Sequence, residues 1–258
     1  MQPPYEDAVV VVTGASTGLG RAIAVGTAEQ GAKAVVVNYA SSDAEAEITA
    51  GLVRDAGAEA VLAKGDVGED ADCRRIVAAA EPYGRIEALF SNAGIPGSAF
   101  QGDLETIDAD EFLKVYRVNV VGAFQMVRAA RTLLEASKRA AVVISSSVAG
   151  ISGVSSSLTY AASKGALNTM TKTLARTLAP KVRVNALCPG LIDTPWFDKL
   201  TPAGGTDALR AHIESVTPLR AVSTAQDIAD AALFLGSPAA RHMTGETLVV
   251  DAGLNLGR

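Results

Sequence analysis

A chain of 258 residues with 48% hydrophobic and 20% charged side chains can bury a large core, and one α/β domain of this length is ordinary. A formal net charge of -5, with Lys and Arg scattered along the chain, offers no basic field for a phosphate backbone, so nucleic-acid binding is not expected. Met1-Gln2-Pro3-Pro4-Tyr5-Glu6-Asp7 lacks the features of a secretory signal, no run is long enough to span a bilayer, and Cys73, Cys188, His212 and His242 show no metal-ligand spacing; the expectation is a cytoplasmic protein with reduced thiols, no metal and no membrane partner.

Residues 8–12 form a continuous apolar run rich in valine, the pattern of a strand buried on both faces of a parallel sheet. The run ends in Thr13-Gly14-Ala15-Ser16-Thr17-Gly18-Leu19-Gly20. Glycines at 14, 18 and 20 let the backbone turn tightly and approach a pyrophosphate, and the helix that follows aims its free amides at that anion. As a bare pattern, the same turn also suits a plain strand-to-helix connection. Residues 34–37 repeat the buried strand and lead to Asn38-Tyr39-Ala40-Ser41-Ser42, where a strand tip should meet an adenosine ribose. A site for NAD places a carboxylate there for the 2′-hydroxyl. Asn38 supplies none, while Ser41 and Ser42 offer hydroxyl donors, so NADP(H) is favoured over NAD(H).

Residues 45–56 read as an amphipathic helix, 58–63 as a third strand and Gly65-Asp66-Val67 as its turn, with Asp66 also suited to capping a helix from about Asp70. Residues 86–90 predict a fourth strand leading into Ser91-Asn92-Ala93-Gly94. Helical periodicity over 108–134 contains Val118-Asn119-Val120, where an amide would ordinarily face solvent. The stretch 142–164 then carries an apolar strand, a loop of small residues and a helix with Tyr160 and Lys164 on one face. An ammonium beside a phenol stabilises the phenolate and lowers a pKa otherwise near about 10, which makes Tyr160 a usable acid and base. Ser147 sits at the carboxyl end of the strand, where open parallel sheets bind ligands, and can hydrogen-bond a substrate oxygen.

Residues 182–187 predict a sixth strand ending in Cys188-Pro189-Gly190-Leu191-Ile192-Asp193-Thr194. Residues 195–216 change character: Trp196, Phe197 and Leu200 precede a Gly- and Pro-containing break and a short helix with His212. A segment of this length reads as a substrate lid, or else as a helical hairpin with a buried Trp. Residues 224–235 form a further helix and 246–250 a seventh strand, followed by Asp251-Ala252-Gly253. In the helix over 163–179, Leu167, Met170, Leu174 and Leu178 form a stripe suited to a core or a subunit contact.

The glycine turn, Asn92-Ala93-Gly94, Asn119, Ser147, Tyr160 with Lys164, and Pro189-Gly190 together resemble the classical short-chain dehydrogenase/reductases over essentially the whole chain. Departures are Ser91 where the family usually has Asn, Ala252 where it commonly has Gly, and Ser16 and Thr17 where NADP members often place a basic residue. The resemblance implies one doubly wound Rossmann-type α/β domain over 1–258, a seven-stranded parallel sheet with helices on both faces. It also implies an NAD(P)-dependent oxidoreductase moving hydride between a nicotinamide and a carbonyl or secondary alcohol carbon of a small molecule.

The cofactor site it implies comprises Gly14, Ser16, Thr17, Gly18, Leu19, Gly20, the tip from Asn38 through Tyr39, Ala40, Ser41 and Ser42, and Asn92, Ala93 and Gly94 against the ribose. Asp66 and Val67 would bracket the adenine, Pro189 and Gly190 would cover the nicotinamide, and the Ile192 backbone and Thr194 hydroxyl would bind its carboxamide or a phosphate. Ser147 would hold the substrate oxygen, Tyr160 would protonate it, Lys164 would bind the nicotinamide ribose and lower the Tyr160 pKa, and Asn119 would hold a relay water, with transfer from the pro-S face. Ser147, Tyr160, Leu191, Trp196, Phe197 and Phe100 suggest an apolar substrate pocket, and a homotetramer is the family's form. The competing readings are a redox-silent dinucleotide-binding scaffold or sensor with the same fold, against which the intact Ser147, Tyr160 and Lys164 argue, and an isomerase or dehydratase working without net cofactor turnover.

Overall fold

Strand β1 (Val9–Val12) is four valines, each with no exposed surface, and it lies inside the sheet with a strand on either side. A computed structural model describes residues 3–98, 102–194 and 206–256. Phe100 and residues 195–205 of the expected lid, Trp196 and Phe197 among them, lie outside the described residues.

The other strands of the main sheet are β2 (Ala34–Tyr39), β3 (Glu59–Lys64), β4 (Ala88–Ser91), β5 (Ala140–Ser145), β6 (Val182–Pro189) and β9 (Thr247–Val250). They stand in the order β3-β2-β1-β4-β5-β6-β9, every pair parallel. This is a doubly wound Rossmann-type sheet of seven strands. The winding reverses between β1 and β4, and that reversal opens a crevice at the strands' carboxyl ends. A small second sheet, unforeseen in the sequence, pairs β7 (Ile192–Asp193) with β8 (Ser223–Thr224).

Alternation along β1 divides the core between the two faces. Val9 and Val11 join a cluster with Ile76 of α3 (Asp70–Ala78), Met126 of α5 (Gly122–Ala136) and Leu167 of α7 (Leu158–Leu178). Val10 and Val12 join one with Ile23 of α1 (Gly18–Glu29) and Ile228 of α9 (Ala225–Gly236). The remaining helices are α2 (Asp43–Asp55), α4 (Ala109–Tyr116), α6 (Ala149–Ser152) and α8 (Thr206–Val216). The stripe on α7 serves the core: Leu167 and Leu178 are buried in the first cluster, with Met170 and Leu174 packed against it. Gly26 allows α1 to approach α9, because a Cβ there would lie 2.7 Å from Leu233 Cδ1.

The long helical stretch around Asn119 is interrupted by a π turn, Arg117–Val121, between α4 and α5. Asp66 does not cap α3, whose N-cap is Glu69. Its Oδ1 instead accepts from Gly68 N at 2.8 Å, closing a local turn. Thr224 and Asp227 form a reciprocal capping box at the start of α9.

Candidate active site

The crevice begins at the turn from β1 into α1. Gly14 (φ 62) and Gly18 (φ 54) occupy the left-handed region, and a Cβ on Gly20 would lie 2.2 Å from Gly14 O. The N-cap Thr17 makes no side-chain cap hydrogen bond and the first turn of α1 carries no acidic residue, so the positive end of the helix is left for an external anion. Ser16 and Leu19 are partly buried in this turn, and Leu19 leans on the core. The Ser16 carbonyl accepts from Arg21 Nη2 and from Thr49 Oγ1 at 3.1 Å. Thr194 stands across the groove, its Cγ2 3.4 Å from the place a Gly18 Cβ would take.

From this turn a chain of hydrogen bonds runs to the centre of the crevice. Thr13 Oγ1 accepts from Asn92 N (2.9 Å) and Ala93 N (3.0 Å), and Asn92 Nδ2 donates to Thr13 O (3.2 Å). Ser145 Oγ donates to Asn92 Oδ1 at 3.2 Å, and Lys164 Nζ donates to Ser145 O at 2.7 Å. Gly94 lets its loop close over this point: a Cβ there would lie 3.2 Å from Asn119 Oδ1 and 3.8 Å from Lys164 Nζ. Gly190 is equally constrained, with Asp251 Cβ at 2.8 Å, and it donates its N–H to Val250 O at 3.0 Å, so Pro189 and Gly190 carry β6 over the crevice against β9. Leu191 and Ile192 follow, both partly buried, with Ile192 leaning on the core.

Ser147, Tyr160 and Lys164 converge as the spacing predicts. Ser147 Oγ accepts from Ala149 N at 3.1 Å and is hydrogen-bonded to the Tyr160 hydroxyl. The start of α7 is fixed by its N-cap Ser157, whose hydroxyl accepts from Tyr160 N at 3.3 Å. Lys164 Nζ lies 5.3 Å from the Tyr160 ring centroid. Burial pushes Tyr160 up to about 12, opposed by the Ser147 hydrogen bond, and pushes Lys164 down to about 8. The expected lowering of Tyr160 by Lys164 is therefore absent from the protein alone: the ammonium is bound to Ser145 O, and desolvation outweighs it. Tyr160 is a phenol at neutral pH, suited to giving a proton to a developing alkoxide.

Asn119 is 1% exposed, contrary to the solvent-facing expectation for an amide in a helix. Its Oδ1 accepts from Ile95 N (2.8 Å), and its Nδ2 donates to Ile95 O and Ser163 Oγ (both 3.0 Å). Ser163 Oγ in turn donates to Tyr160 O at 2.7 Å. The Asn119 side chain is thus a clamp between the loop after β4 and the helix of Tyr160. Its π turn departs from regular helical pairing, a distortion that recurs at functional sites.

At the adenosine end the sequence reading needs correction. Asn38 is 1% exposed and its side chain points back under the sheet's edge: Oδ1 accepts from Gly14 N (3.2 Å), and Nδ2 donates to Ala63 O and Gly65 O (both 3.0 Å). It positions the glycine turn and cannot also read a ribose. Ala40, Ser41 and Ser42 are exposed beyond it, and Tyr39 is largely covered. Asp66 is exposed, whereas Val67 is buried and its carbonyl accepts from Gln125 Nε2 at 2.9 Å. Sequence reasoning missed Thr13, Ser145 and Ser163, whose neighbours in the motifs were the only signal. Beyond the end of β2, Asp43 at the start of α2 and Lys64 at the end of β3 are joined by hydrogen bonds of 3.0 and 2.8 Å. Among the described residues no group of His, Cys, Asp and Glu could hold a metal, and no helix is long and apolar enough to cross a membrane.

A glycine-lined anion cradle at a sheet reversal, facing a serine, tyrosine and lysine, defines a dinucleotide-dependent oxidoreductase. The family model described as Enoyl-(Acyl carrier protein) reductase matches residues 14–255, and the chain belongs to the short-chain dehydrogenase/reductase family. It is 38% identical over 255 residues, 97% of each chain, to a Streptomyces violaceoruber protein named as ketoacyl reductase 2 of the granaticin polyketide synthase. It is 36% identical over 254 residues to versicolorin reductase of Emericella nidulans, covering 95% of this chain and 94% of that one. A crystal structure named as a short-chain dehydrogenase/reductase from Burkholderia xenovorans superposes with a TM-score of 0.89 at 40% identity, covering 97% of this chain and 98% of that one. The chain is accordingly an NAD(P)-dependent oxidoreductase that transfers hydride between a nicotinamide and a carbonyl or secondary alcohol carbon.

Proposed function

We propose that this protein is a carbonyl reductase that prefers NADP(H), with Ser147, Tyr160 and Lys164 as its catalytic residues. The observation that carries the reading is the hydrogen-bonded Ser147 and Tyr160 pair beside Lys164 Nζ, with Tyr160 held as a phenol. The bound nicotinamide supplies the hydride. Ser147 Oγ orients the substrate carbonyl oxygen, and Tyr160 donates its proton to that oxygen as negative charge develops there. Lys164, anchored by Ser145 O, binds the ribose hydroxyls next to the nicotinamide. Asn119 acts as a positioning residue: both donors of its amide are given to Ile95 O and Ser163 Oγ while Oδ1 accepts from Ile95 N, which holds the loop after β4 to α7 beside any relay water.

The cofactor is held by the turn from Gly14 through Ser16, Thr17, Gly18 and Leu19 to Gly20, whose uncapped helix start suits a pyrophosphate. Tyr39 through Ser42 with Asp66 and Val67 flank the adenosine, and Asn92, Ala93, Gly94, Pro189, Gly190, Ile192 and Thr194 line the nicotinamide half. NADP(H) is preferred because the exposed tip Ala40, Ser41 and Ser42 carries no carboxylate of its own. The substrate is a ketone on an apolar, ring-bearing or acyl-chain molecule, a class suggested by the names of the reductases it resembles. Exposed Leu113, Val121 and Phe124 on the α4 and α5 side give an apolar face for assembly into the tetramer usual in the family, working in the cytoplasm.

Tyr160→Phe removes the proton donor and little volume. The variant should bind NADPH within about threefold of wild type while losing at least about 100-fold in kcat for ketone reduction. Retained turnover would remove Tyr160 from the mechanism, and binding of neither dinucleotide to the wild type would favour the redox-silent scaffold.

A further inference from the structure

We propose that Lys64, released from Asp43, is the residue that recognises the 2′-phosphate of NADP(H), so that the Lys64 and Asp43 pair sets cofactor choice. The inference rests on the NADP(H) reading above and assigns its discriminating contact.

Asn38 is excluded as the discriminator because its three side-chain bonds are made inside the protein. Recognition must then come from groups beyond the end of β2. Lys64 closes β3 and stands directly opposite Tyr39 in the register of the two strands, at the end of β2 from which the exposed Ala40, Ser41 and Ser42 lead on to Asp43. Its Nζ contacts both carboxylate oxygens of Asp43, the first residue of α2, at 3.0 and 2.8 Å. Tyr39 lies beneath, its ring centroid 6.0 Å from Nζ and its hydroxyl hydrogen-bonded to Asp43.

Two features make this pair exchangeable. Both side chains are more than half exposed, 55% for Lys64 and 59% for Asp43, and exposed ion pairs of this kind are weak. A phosphate dianion offers Lys64 a stronger charge-assisted partner than a single carboxylate does. Arg21, which also faces α2, is held by more partners than Lys64. Arg21 is tied to Ser16 O, Thr49 Oγ1, Glu45 O and the Glu45 carboxylate, and it holds the glycine turn against α2. When the 2′-phosphate takes Lys64, Asp43 keeps the Tyr39 hydroxyl as a partner; with NAD(H), Asp43 stays on Lys64 and the ribose hydroxyls meet only Ser41 and Ser42.

Titration of wild type, Lys64→Gln and Asp43→Asn with NADPH and with NADH, followed by nicotinamide fluorescence without substrate, tests this. Lys64→Gln should weaken NADPH at least about tenfold and leave NADH within about twofold, the latter also reporting an intact fold. Asp43→Asn should tighten NADPH or leave it unchanged, since it removes the competitor for Lys64, and the NADPH dependence on ionic strength should fall in Lys64→Gln. Equal weakening of both dinucleotides, or of neither, in Lys64→Gln would overturn the proposal. A wild type that prefers NADH would overturn the NADP(H) preference itself, while the change in the NADPH to NADH ratio on Lys64→Gln would still decide the role of Lys64.

Discussion

Asn38→Asp separates the reading of the sequence from that of the structure. Installing a carboxylate at the end of β2 should, by the pattern of dinucleotide sites, convert the protein towards NAD(H). The structure predicts a damaged fold and no such conversion. Asn38 is 1% exposed, and its Nδ2 donates 3.0 Å bonds to Ala63 O and Gly65 O, while Oδ1 accepts from Gly14 N. An aspartate keeps the last contact and loses both donors, setting a buried anionic oxygen against two carbonyl oxygens. Two hydrogen bonds at about 1 kcal/mol each and an unpaired buried polar atom at about 1–3 kcal/mol give a loss of about 3–5 kcal/mol. For a chain of this size that corresponds to a Tm lower by about 6–20 °C.

The new carboxyl would titrate with a raised pKa, because burial and the two carbonyls both favour its neutral form. The native state then binds more protons than the unfolded chain above the ordinary carboxylate range, so stability falls as pH rises through that window and the deficit shrinks at acid pH. Urea unfolding at fixed protomer concentration, at acid and neutral pH, measures the loss, and dinucleotide titration of the folded variant measures preference. A variant as stable as wild type with a preference moved to NADH would refute the inward placement of Asn38.

The remaining predictions concern the centre of the crevice. With Tyr160 pushed up to about 12, ketone reduction should not lose its proton donor anywhere between about pH 6 and 9, whereas alcohol oxidation should accelerate as pH rises, seen in kcat profiles for both directions; an oxidation rate flat with pH would contradict the assignment. Lys164 is pushed down to about 8 by burial, so between that value and the ordinary lysine range the unfolded chain binds more protons and stability rises with pH. The stability of wild type relative to Lys164→Met should therefore increase from about pH 8 to 10.5, and a difference constant across that window would show the ammonium not to be desolvated. Gly20→Ala puts a Cβ 2.2 Å from Gly14 O and 2.8 Å from Asn92 Nδ2; overpacking should cost about 1–3 kcal/mol and weaken both dinucleotides at least about tenfold by fluorescence titration.

The strands were legible because each holds a short apolar stretch, clearest in β1, β2 and β5, whose runs of alanine and β-branched residues are buried throughout as a sheet covered on both faces requires. The three converging residues were legible because Tyr160 and Lys164 are four apart on α7 and Ser147 follows β5 directly. What escaped the sequence depends on rotamers and on chain segments far apart. Asn38 and a ribose-binding residue occupy the same place in a linear pattern, and only the contacts with Gly14, Ala63 and Gly65 distinguish them. Asn119 likewise looks like an exposed helical amide until Ile95, 24 residues away, is seen to supply both of its backbone partners. The pair β7 and β8 is two residues on each side and leaves no periodicity to detect.

Those long-range contacts also tie the glycine turn to the helix that carries Tyr160 and Lys164. Thr13, at the end of β1, receives the amides of Asn92 and Ala93; Asn92 receives Ser145; and the Ser145 carbonyl holds Lys164. The first links are hydrogen bonds between neighbouring strand ends and the last reaches from β5 to α7, so the positions of the glycine turn and of Lys164 are tied to the register that pairs β1 with β4 and β4 with β5. Asn119 and Ser163 close the circuit from the other side by tying the loop after β4 to the backbone of Tyr160. Lys164 can remain buried because its ammonium meets a carbonyl already oriented by the sheet, that of Ser145 at 2.7 Å.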